Sequence, residues 1–317
     1  MKRLCGGIVA IAFISMLAHS VPPAAQELSG TISLSGAWAL YPMAVKWGEE
    51  FSKLHPKVRV DIQAGGAGKG LADALAGMVD LGMVSREIHP AEVEKGAFAV
   101  AVVKDGVIPT ISDKNPLLNK ILACGLKKEA FIAAWITETA KTWGDALGIG
   151  DKTDLHVYTR SDACGAAESW AAFFGKRQED LKGIGVYGDP GLAEAVRRDP
   201  LSIGFNNINY AYDTKTLKPL AGIMILPIDL DGSGKIEPAE SFYQDRDAIT
   251  GAIARGAYPS PPARDLYLVS KGRPQNPLLV EFLRWVLDEG QKFVAETGYI
   301  GLSPEKLADG WKKIEGR

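Results

Sequence analysis

At 317 residues the chain is long for one small domain and suits two. Hydrophobic residues make up 46% of it, enough for a substantial core. The formal net charge of −2 excludes recognition of nucleic acid or of an anionic membrane through the overall field, so any anion site must be local.

The first segment has the pattern of a secretory signal peptide over residues 1–25. Lys2 and Arg3 precede an apolar run from Leu4 to Ala18, with cleavage signals at Ala18-His19-Ser20 and in Pro22–Gln26. The run is too short to span a membrane, and no later stretch is long and apolar enough to do so. Export to the periplasm as a soluble protein is expected. Cys124 and Cys164 then remain, and an oxidising compartment permits a disulfide between them. Spacing alone leaves that pairing open, a free thiol at Cys164 being the alternative. His55, His89 and His156 sit in no nucleophile–base pattern, so no enzyme activity is expected.

The body alternates strand and helix. Gly30 to Leu34 reads as a strand, and Pro42 to Leu54 as an amphipathic helix burying Val45, Trp47, Phe51 and Leu54. Val58 to Ile62 is a strand, Leu71 to Met78 a helix, Leu81 to Val84 a strand and Ala97 to Val103 another. This rhythm predicts a parallel α/β sheet, which binds ligands at the carboxyl ends of its strands.

Four strand-end turns carry suitable chemistry. The first contains Ser35, Gly36, Ala37 and Trp38. The second, Ala64 to Gly70, has four glycines that let backbone N–H groups approach a ligand, although Lys69 is not followed by Ser or Thr as a Walker loop requires. The third is Ser85-Arg86. In the fourth, Leu155, Val157 and Tyr158 lead to Arg160, Ser161, Asp162, Ala163, Cys164 and Gly165, and a helical pattern follows through Ala166, Trp170 and Phe173. A helix N-terminus favours negative charge, and a guanidinium fork matches an oxyanion. Asp162 stands where it can hold Arg160 in place.

These segments share an order with a known family. They are Ser35 to Pro42, Ala64 to Gly70, Asp80 to Arg86, Lys104 to Gly106, Trp143 to Asp145, Arg160 to Gly165, Ile203 to Tyr212 and Tyr258 to Tyr267. In that order, residues 30–317 resemble the solute-binding component of bacterial phosphate ABC transporters, a type II periplasmic binding protein. The resemblance implies two α/β lobes with a hinge and a central cleft that closes on an anion. Lobe 1 would hold residues 27–103 and 259–317, and lobe 2 residues 104–258. It implies capture of phosphate or a related oxyanion by a monomer and delivery to a membrane permease. The implied ligand residues are Ser35, Ala37, Trp38, Gly66, Ala67, Ser85, Arg86, Arg160, Asp162, Cys164, Gly165 and Ala166. The family's hydroxyls after the arginine are replaced here by Cys164 and Ala166, and the first turn carries Ala37, Trp38 and Ala39. A different small organic anion packed on Trp38, or a periplasmic sensor role, is the alternative.

A second motif stands apart. Asp229, Asp231, Ser233, Lys235, Glu237 and Glu240 fit the twelve-residue calcium loop of an EF-hand, with Gly234 at its sixth position. The preceding Gly222 to Ile228 reads as a strand, so a structural Ca2+ in a non-helical frame is expected. Asp265 to Val269 and Pro277 to Gly290 read as a strand and a helix completing lobe 1, the helix burying Phe282, Leu283, Val286 and Leu287.

Overall fold

The computed structural model describes residues 27–316, so the expected signal peptide lies outside the described residues. Chain order begins β1 (Gly30–Gly36), α1 (Tyr41–Leu54), β2 (Val58–Ala64), α2 (Ala67–Ala76), β3 (Leu81–Val84), α3 (Pro90–Glu94) and β4 (Ala97–Ser112). It continues with α4 (Leu118–Cys124), β5 (Leu126–Lys127), α5 (Lys128–Trp135), α6 (Trp143–Leu147), β6 (His156–Arg160), α7 (Gly165–Phe173), β7 (Ile184–Val186), α8 (Gly188–Arg198) and β8 (Ser202–Asn207). The last elements are β9 (Ile223–Ile225), β10 (Ile228–Asp229), α9 (Arg246–Ala254), β11 (Ala263–Lys271), α10 (Pro277–Leu287) and α11 (Pro304–Glu315).

The main sheet runs β2-β1-β3-β11-β4-β8-β6-β7, with β9 added beside β4. It is mixed, which corrects the expectation of a parallel sheet. β1 pairs in parallel with β2 and β3, and β6 with β7 and β8. Between these groups β11 and β4 run antiparallel. The reason lies in β4, which is far longer than Ala97 to Val103. Its first part pairs with β11, and from Val107 onward it pairs with β8 and β9. One continuous strand thus links two cores.

Those cores are separate apolar clusters. One draws on residues 32–103 and 266–314, around Trp47, Phe51, Phe282 and Trp285. The other draws on residues 107–263 with Ile300, around Phe131, Trp135, Trp170 and Phe205. Helix α1 begins with Pro42 in its first turn, where the missing N–H costs nothing. Its buried face is Met43, Ala44, Trp47 and Phe51, while Val45 is half-buried and Leu54 is 60% exposed. The buried stripe thus ends at Phe51, one turn before Leu54.

The glycine-rich stretch is a second correction. Only Gly65 and Gly66 form the turn, and α2 starts at Ala67. A Cβ on Gly70 would lie 2.6 Å from the Ser35 carbonyl oxygen and 2.7 Å from that of Met83. Gly70 therefore serves close helix–strand packing, a contact that any side chain would prevent.

Candidate functional site

The site begins where β6 ends. Arg160 is its last residue, and Cys164 caps α7, its Sγ accepting from Ala167 N at 3.4 Å. The guanidinium is buried. Nε and Nη2 donate to the two oxygens of Asp162 at 2.8 and 2.6 Å, as the spacing predicts. Nη1 donates to Asp189 Oδ2 at 2.6 Å. Three of the five guanidinium N–H groups are thus committed to carboxylates.

Asp189 lies in the first turn of α8, and its other oxygen accepts from Asn207 Nδ2 at 2.6 Å. Asn207 closes β8, the neighbour of β6, so sheet order brings the three together. Burial works against the charge of Arg160. Asp189, then Cys164 and Asp162, more than offset it and hold the guanidinium's pKa above its usual value. A second buried guanidinium, Arg264 of β11, joins the lobes. Its Nε donates to the Ser85 carbonyl at 3.2 Å, and its Nη2 donates to Asn207. Its Nη1 stands 3.3 Å from Asp105. Burial pushes the Asp105 carboxyl up to about 6, against the pull of Arg264.

Around this chain of charges the lobes touch directly. Gly68 N donates to the Ala163 carbonyl at 3.2 Å, and Tyr210 Oη donates to the Trp38 carbonyl at 3.1 Å. A Cβ on Gly165 would fall 2.2 Å from the Ser85 carbonyl oxygen and 2.3 Å from its Oγ. Both positions belong to glycine because the loops meet there backbone to backbone.

The predicted residues fall into two groups. Trp38, Gly66, Ser85, Arg160, Asp162, Cys164, Gly165 and Ala166 meet at or beside the lobe contact. Others face away or are already engaged. Ser35 Oγ donates to Asp73 at 2.6 Å, and Ala37 N to the Met83 carbonyl at 2.8 Å. Ala67 starts α2. Arg86 forms a two-pronged pair with Glu92 at 3.0 and 2.7 Å, facing cavities of about 310 and 440 Å³ that flank the contact. Sequence reasoning missed Asp189, Asn207, Tyr210, Arg264 and Asp105. Four of them lie inside the shared motifs, Asn207 and Tyr210 in Ile203 to Tyr212, Asp105 in Lys104 to Gly106 and Arg264 in Tyr258 to Tyr267, but none was singled out there; Asp189 lies outside every motif.

The acidic loop has its own geometry. Oxygens of Asp229, Asp231 and Glu240 lie within 4.8 Å of one another. Backbone N–H groups of Gly232, Ser233 and Gly234 donate to Asp229, and those of Leu230 and Asp231 to Glu240. Lys235 pairs with Glu237 at 2.6 Å. β10 enters the loop as a strand paired with β5. Cys124 and Cys164 are both free thiols.

A family model described as a PBP superfamily domain matches residues 21–289. The chain belongs to the PBP superfamily. Its PBP fold has relatives of full length. The phosphate-binding protein PstS of Pseudomonas aeruginosa is 27% identical, covering 96% of this chain and 94% of its own length. That of Xylella fastidiosa is 25% identical, over 95% and 89%. Among solved PBP-like structures, a Clostridium perfringens chain with bound phosphate superposes at a TM-score of 0.68, with 20% identity over 86% of this chain and 100% of its own. An ABC-type phosphate transport receptor from Vibrio cholerae gives 0.62 at 18% identity, over 86% and 100%. The two-lobed type II periplasmic binding fold follows from these matches and from the double core.

Proposed function

We propose that this chain is the exported substrate-binding protein of an ABC transporter and that it binds phosphate. The observation that carries the reading is Arg160, buried at a strand–helix turn in the lobe contact and held rigid by Asp162 and Asp189. Two of its N–H groups are left over from those pairs, and of the first N–H groups of α7, which have no acceptor within the helix, only that of Ala167 is taken up by the Cys164 cap. Together they supply the donors that a desolvated oxyanion needs. The relatives named as phosphate-binding proteins, matched along nearly their whole length, support the ligand and a binding role in place of a catalytic one. Delivery to a membrane permease follows from the same reading.

Thermal unfolding titrated separately with phosphate, sulfate, molybdate and small carboxylates tests it. A ligand of the folded state raises the melting point saturably. Phosphate should do so, and Arg160→Met should abolish the shift. A shift with another anion alone would reject phosphate as the ligand.

We also propose that loop 229–240 holds a structural calcium ion. The support is the convergence of Asp229, Asp231 and Glu240 in a sequence of EF-hand spacing. Calcium should raise the melting point of the wild type, and Glu240→Gln should lose that increment. Equal melting points in calcium and in chelator would refute the site.

A further inference from the structure

Trp38 belongs to lobe 1 by sequence, yet its ring lies on lobe 2. Cε2, Nε1 and Cζ2 of the indole are 3.4, 3.5 and 3.6 Å from the point where a Cβ on Gly188 would stand. Gly188 N donates to Asp162 Oδ1 at 3.1 Å, the oxygen that also receives Nε of Arg160. Tyr210 of lobe 2 donates to the Trp38 carbonyl. The indole Nε1 is buried and has no acceptor among the described residues. A buried Trp N–H normally finds one, because leaving it unpaired forfeits its hydration. Here the unpaired donor stands beside the Asp162–Gly188 corner that grips Arg160.

We infer that Trp38 is the specificity-determining residue that lobe 1 contributes to the Arg160 site. Its indole N–H donates to the bound oxyanion. Its ring closes the Gly188 side of the cleft against anions that carry a substituent larger than oxygen. Gly188, at a φ of +73°, holds the left-handed turn that the ring contacts, a conformation that favours glycine. The inference rests on the proposal that the Arg160 site takes a small tetrahedral oxyanion.

The two roles separate by substitution. Trp38→Phe keeps a ring and loses the donor, while Trp38→Ala loses both. The experiment is isothermal titration of the full chain and both variants with inorganic phosphate and with phenylphosphonate, after each variant's melting point confirms folding. The wild type should bind phosphate and reject phenylphosphonate. Trp38→Phe should weaken phosphate about 10-fold or more, the scale of a hydrogen bond to a charged group, and still reject phenylphosphonate. Trp38→Ala should weaken phosphate and admit phenylphosphonate. Wild-type phosphate binding with both variants unchanged would overturn the role of Trp38 alone. A wild type that binds neither probe would overturn the phosphate reading and the inference with it.

Discussion

Cys164 shows how much one side chain decides at this site. It occupies the N-cap of α7, its Sγ accepting from Ala167 N and its own N–H donating to Gln178 at 3.0 Å. Burial pushes its thiol up to about 12, although Arg160 pulls the other way. It is therefore a neutral cap at physiological pH and a poor nucleophile. Alkylation of the native protein at pH 8, read by mass spectrometry, should modify half-buried Cys124 and spare Cys164 until the chain is unfolded. Rapid native modification of Cys164 would contradict that environment. Arg160 and Asp162 were legible in the sequence because two residues at a strand end share one turn. Asp189 was not, standing 29 positions further on.

Among the elements, α2 carries the clearest constraint. It lies so close to β1 and β3 that Gly70 touches the backbone of Ser35, Gly36 and Met83. Gly70→Ala would force the helix outward and should cost about 1–3 kcal/mol, the usual penalty of overpacking. Chemical denaturation would measure it, and an unchanged midpoint would show that the helix can slide. The glycines were visible in the sequence as a loop signal. Their role was misread because glycine answers equally to a turn, a ligand and a neighbouring strand, and only packing tells these apart.

For the whole molecule, the linking feature is β4, with Asp105 buried near the point where it passes between cores. Its carboxyl is raised from 3.8 to about 6, so the folded state binds this proton more tightly than the unfolded state does. Stability from this group is therefore full below 3.8 and is lost as pH rises to about 6, a change of order 3 kcal/mol. Asp105→Asn has no such proton to lose. The stability difference, wild type minus variant, should fall across that window and stay level above it. A difference independent of pH would show that Asp105 titrates normally.

By itself the sequence determined the alternation of strand and helix, the Arg160–Asp162 half-site, the spacing of the acidic loop and the order of motifs shared with phosphate-binding relatives. The first three are set within a turn or along one element, where periodicity and residue type suffice, and the last is read directly from the order of residues. Tertiary structure alone decided the mixed sheet, the long shared strand and the partners of the half-site. Asn207 and Arg264 meet through sheet order, and Tyr210 reaches Trp38 across 172 positions. Such pairings depend on which surfaces two cores bury against each other, and the spacing of residues along a chain does not encode that choice.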